Sequence, residues 1–76
     1  MIQVTIGNNL GKKPIIIDEN TTLREAFEQQ NIDYSRGMTL LDGSSVEAGG
    51  LDKSFKDYGV TKSCFLLNIV KTDNAA

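Results

Sequence analysis

Seventy-six residues, 39% apolar and 24% charged, make one small domain with the composition of an ordinary folded protein rather than a disordered one. Eight basic against ten acidic residues leave a net charge of −2, and Lys12-Lys13 is the only adjacent basic pair, so the clustered cations that nucleic-acid binding needs are missing. No apolar run approaches the roughly 18 residues of a membrane span, the alternating Met1–Ile6 start lacks the basic region of a signal peptide, and a lone cysteine forms no internal disulfide; a reducing, cytoplasmic setting is the expectation.

Ile2, Val4 and Ile6 alternate with Gln3 and Thr5, the pattern of a half-buried strand. Gly7-Asn8-Asn9-Leu10-Gly11-Lys12-Lys13 reads as a hairpin loop with Leu10 near its tip. Ile15-Ile16-Ile17 is a second strand. Pro14 lacks a ladder donor and belongs at the start of that strand or on a sheet edge. A turn over Asp18–Thr21 leads to a helix whose first turn, Thr22-Leu23-Arg24-Glu25, matches the capping box. Leu23, Ala26 and Phe27 fall on one face of a helix of about ten residues. Asn31 suits a left-handed cap, with Ile32 folding back onto the core.

Tyr34–Gly37 is a loop and Met38–Leu41 a short strand. Asp42-Gly43 is a strong two-residue hairpin signal, with Ser44–Glu47 returning. Ala48–Asp52 reads as a flexible connection. Lys53–Val60 is a tight turn, with Gly59 free to take positive φ and Tyr58 as the aromatic ring that pins the loop onto the core. Cys64–Val70 is the last strand, and residues 71–76 form a flexible C-terminal tail beyond a domain spanning residues 1–70. The order β-β-α-β-β-β is an α+β arrangement with one helix on one face of a mixed sheet. With the first and last strands side by side and parallel, it is the β-grasp architecture.

The residues offer little chemistry. There is no histidine. Cys64 begins an apolar strand with no histidine to activate it, and reads as a buried small apolar side chain. Asp18 and Glu19 suit the positive end of the helix that follows. Asp42, Glu47, Asp52 and Asp57 lack calcium-loop spacing. Gly43 and Gly49-Gly50 lack the lysine, hydroxyl and helix of a phosphate loop. No catalytic residue, metal ligand or cofactor site is expected, and the chain reads as a non-enzyme.

Asp57-Tyr58-Gly59-Val60, Lys62-Ser63 and the strand Phe65–Ile69, together with the Thr22-Leu23 helix start and Leu40-Leu41-Asp42-Gly43, resemble ubiquitin and its small bacterial relatives over nearly the whole chain. The resemblance implies an interaction surface on the outer face of the sheet, carried over to Leu10, Leu40 and Leu66 as protein-binding residues. Asn68 would then stand where ubiquitin has a further aliphatic residue, leaving the patch smaller and more polar. A second reading stands beside this one: Leu40 and Leu66 are core and the strand register is displaced by one residue. Phe65-Leu66-Leu67 has no alternation to decide between them.

The family's modifiers and sulfur carriers end in Gly-Gly, because the terminal carboxylate is activated in a narrow channel. This sequence ends Thr72-Asp73-Asn74-Ala75-Ala76. The expected function is therefore a monomeric, non-catalytic ubiquitin-like domain that binds a partner protein through its sheet face. The alternatives are a modifier or sulfur carrier activated at an atypical C-terminus, and a small regulatory subunit of an enzyme complex.

Overall fold

The computed structural model describes residues 1–70; residues 71–76, where the sequence reading places a flexible tail, lie outside the described residues. Strand β1 (Ile2–Asn8) and strand β2 (Gly11–Ile17) form an antiparallel hairpin in which Ile2 faces Ile17 and Asn8 faces Gly11. The loop shrinks to Asn9-Leu10, far shorter than the glycine and asparagine cluster indicates. The carboxamide of Asn8 accepts the Leu10 N–H at 2.9 Å and closes the turn locally, which lets pairing run to its base. Pro14 lies inside β2, opposite Thr5, and is tolerated because β2 is an edge strand.

Helix α1 (Leu23–Gln29) is shorter than its pattern suggests. Thr22 Oγ1 accepts the Glu25 N–H at 3.1 Å, and Glu25 Oε1 accepts the Thr22 N–H at 3.1 Å, so the capping box is complete. At the other end Asn31 takes φ 56°, and the Ile32 N–H donates to the Phe27 carbonyl at 2.9 Å. That reversal ends the helix and lays Ile32 against the core.

Strands β3 (Met38–Leu41) and β4 (Ser44–Val46) are joined by Asp42 and Gly43, both at positive φ (51° and 86°), the backbone a tight primed turn requires. Ala48–Asp52, expected to be a flexible connection, is a 3-10 turn. Leu51 is buried in it, the Tyr58 hydroxyl donates to the Gly50 carbonyl at 3.1 Å, and Arg24 pairs with Asp52 at 2.8 Å. The aromatic ring that plugs the core is also reassigned. Phe55 is fully buried, whereas Tyr58 is 38% exposed and holds the turn through its hydroxyl. The Phe55 N–H donates to the Thr21 carbonyl and its own carbonyl accepts from Val60, so its backbone is held on both sides and its ring joins the core cluster with Leu23 and Phe27.

Strand β5 (Ser63–Ile69) lies parallel to β1 and antiparallel to β3, giving the sheet order β2-β1-β5-β3-β4. This is the expected β-grasp: the first and last strands are the two central neighbours, and α1 covers one face. Between them lies the core, built on Ile2, Val4, Ile6, Leu23, Phe27, Phe55 and Leu66, all nearly without solvent contact.

Candidate protein-interaction face

The phase of β5 decides what the outer face carries. Successive strand residues point to opposite sides of a sheet, so β5 offers two sets: Cys64, Leu66 and Asn68, or Phe65, Leu67 and Ile69. The second is wholly apolar and larger, yet the first is buried. Three sets of contacts fix this. In the parallel ladder Val4 stands beside Cys64 and Ile6 beside Leu66, and both β1 residues face the helix. The turn before the strand is anchored by buried Val60, and the Gln3 N–H donates to the Lys62 carbonyl at 2.9 Å. Asp42 then grips the Phe65 backbone, its carboxylate accepting the Phe65 N–H at 2.9 Å and its own N–H donating to the Phe65 carbonyl at 2.9 Å.

The expected interaction residues are divided accordingly. Leu66 is 0% exposed and belongs to the core, so its place in an outer patch is corrected. A one-residue change of phase exchanges the two faces, and Leu67 stands where Leu66 was expected. Leu40 is half-buried on the outer face, directly across from Leu67. Leu10 is 95% exposed at the hairpin tip, beside the end of β5, where the Asn9 side chain bonds to Val70. Asn68, expected to make the patch more polar, is instead buried on the inner face.

The outer face is therefore more apolar than the resemblance implied. Phe65 and Met38 are about half exposed, and Leu67, Ile69 and Leu40 are partly so. Ile69 stands opposite Met38 as Leu67 does opposite Leu40, so β5 and β3 share one continuous apolar row. Gly37, Met38, Leu40 and Ile69 line a hollow of about 420 Å³ at one end of it. At the other end the Lys12 ammonium sits 5.5 Å from the centre of the Phe65 ring, an attractive cation–π placement that also sets a positive charge on the rim. Sequence reasoning missed Phe65, Leu67, Ile69 and Met38. The signal for Phe65 and Leu67 was the unbroken run Phe65-Leu66-Leu67, which shows that both faces of the strand are apolar but not which one is covered.

Among the described residues, no three histidine, cysteine, aspartate or glutamate side chains come together as a metal site. Cys64 is buried, and loss of solvent, reinforced by the Asp42 carboxylate, pushes its thiol up to about 11. The Asp33 carboxyl is held below its ordinary value by the Ser35 hydroxyl and backbone N–H, which cap a local turn. No helix of the described residues is long and apolar enough to cross a membrane.

No family model matches the sequence, and no curated protein matches it either. The solved structures do. The NMR structure of the ubiquitin-like domain of an Arabidopsis thaliana protein superimposes with a TM-score of 0.70 at 18% identity, covering 99% of this chain and 82% of that one. The chain has the ubiquitin-like β-grasp fold.

Proposed function

We propose that this chain is a non-catalytic ubiquitin-like interaction domain that binds a partner protein through the outer face of its sheet. One observation carries the reading: of the two side-chain sets β5 offers, the fold buries the poorer one and leaves Phe65, Leu67 and Ile69 outward, continuous with Leu40 and Met38. A large contiguous apolar surface on a small domain marks an interaction site. The contact residues are Leu67, Leu40, Phe65, Ile69 and Met38, with Leu10 reaching the same partner from the hairpin tip. A single buried thiol suits a reducing, cytoplasmic setting.

The test is capture from the native cell by the N-terminally tagged full chain, compared with Leu67→Lys and Leu40→Lys, each checked by circular dichroism. A partner held by the parent and lost by both folded variants supports the reading. Capture that survives both substitutions overturns it. So do bands that persist under denaturation and vanish when residues 74–76 are deleted, since these report covalent attachment.

A further inference from the structure

We propose that the Asn9 carboxamide is a clip that couples the Leu10 loop to the end of β5, so that the mobility of each is set by the other. The parallel ladder between β1 and β5 ends where Asn8 stands beside Asn68. Beyond it the backbone turns away into β2, and Val70 would have no β1 partner. The Asn9 side chain supplies one: its Nδ2 donates to the Val70 carbonyl at 3.0 Å, and its Oδ1 accepts the Val70 N–H at 2.7 Å. A carboxamide carries the donor and acceptor of a peptide group, so Asn9 imitates one more rung of the ladder with a side chain.

The other flank of the same strand end is held differently. Asn68 Nδ2 donates to the Arg36 carbonyl at 3.0 Å, and Gly37, at φ 73°, runs so close to the Ile69 carbonyl that a side chain there would collide with it. That flank is part-buried, through Asn68, and sterically closed at Gly37. The Asn9 flank consists of two solvent-exposed hydrogen bonds. Such bonds exchange with water at small net cost, so the clip opens locally while the rest of the sheet stays paired.

Leu10 follows Asn9 directly, and its loop has two side-chain holds: the Asn8 Oδ1 that accepts the Leu10 N–H at 2.9 Å, and the Asn9 clip, so opening the clip removes one of the two and loosens the loop. Coupling between two sites is reciprocal. Whatever immobilises Leu10 strengthens the hold on Val70, and whatever displaces Val70 loosens Leu10. A partner that covers Leu10 would therefore also hold Val70; this consequence rests on the outer-face reading, whereas the coupling itself is a property of the free chain.

The experiment uses the free, full-length chain, isotope-labelled, and reads the Val70 amide exchange rate and the Leu10 backbone order parameter by NMR. Asn9→Ala is expected to speed Val70 exchange about tenfold and to lower the Leu10 order parameter. Val70→Pro removes the N–H that Asn9 accepts, and is expected to lower the Leu10 order parameter from the opposite side of the contact. Core amides such as that of Leu66 are expected to keep their protection in both. Unchanged Val70 exchange in Asn9→Ala overturns the clip, and an unchanged Leu10 in Val70→Pro overturns the coupling. Partner capture plays no part in either readout, so failure here is distinguishable from failure of the outer-face reading.

Discussion

Leu40 faces Leu67 across the antiparallel ladder of β3 and β5, and both side chains stand on the side of the sheet away from the helix. One step along, Leu41 faces Leu66, and both are buried. The two pairs are chemically alike and differ only in what covers them. Leu66→Ala is accordingly expected to cost about 2–5 kcal/mol, through lost transfer energy and an unfilled cavity. Leu67→Lys is expected to cost less than about 1 kcal/mol, as a partly exposed substitution. Urea denaturation of both variants checks the contrast, and equal losses would contradict the assigned phase of β5.

Asn68 is the polar residue at the inner end of β5. It is 1% exposed, its Nδ2 reaches the Arg36 carbonyl, and its Oδ1 has no hydrogen-bond partner among the described residues. An unpartnered buried carbonyl costs free energy comparable to a lost hydrogen bond. Asn68→Leu removes that oxygen and leaves the Arg36 carbonyl on an exposed residue, where water can reach it. Its expected effect is a gain of about 1 kcal/mol, read as a higher urea midpoint with an unchanged slope. A loss would show that the bond to Arg36 outweighs the stranded oxygen.

Thr22 holds the start of α1 and also forms an isolated bridge with Ser54, joining the helix to the long turn that follows β4. Thr22→Ala removes the side-chain acceptor for the Glu25 N–H and is expected to cost about 1 kcal/mol. Thr22→Ser keeps the acceptor and is expected to stay close to the parent. Thermal melts of the pair separate the cap from the packing of the methyl group.

Cys64 gives a pH and reactivity signature. With its thiol raised from 9.0 to about 11, the folded chain retains a proton that the unfolded chain releases over that interval. Stability is therefore expected to fall as pH rises from 9.0 to about 11, and to be insensitive to this group below 9.0. At pH 8 iodoacetamide is expected to alkylate the folded chain about a hundredfold more slowly than the urea-unfolded chain, from the smaller thiolate fraction alone. Mass spectrometry of timed quenches follows both. Comparable rates would place the thiol in solvent.

Much of the fold was legible in the chain because its signals are local. The alternation of Ile2, Val4 and Ile6, the Thr22 to Glu25 capping box, the positive-φ pair Asp42-Gly43 and the left-handed Asn31 and Gly59 each depend on a few neighbouring residues. Together they gave the element order and hence the β-grasp. Tertiary structure decided the rest. Whether Leu66 or Leu67 is covered depends on Val4 and Ile6 across one ladder and on Asp42 beyond the other. Whether Phe55 or Tyr58 plugs the core depends on bonds to Thr21 and from Val60. A strand apolar on both sides has no periodicity of its own to choose a face; the neighbours that pair with it make the choice, and with it determine which leucines meet the solvent.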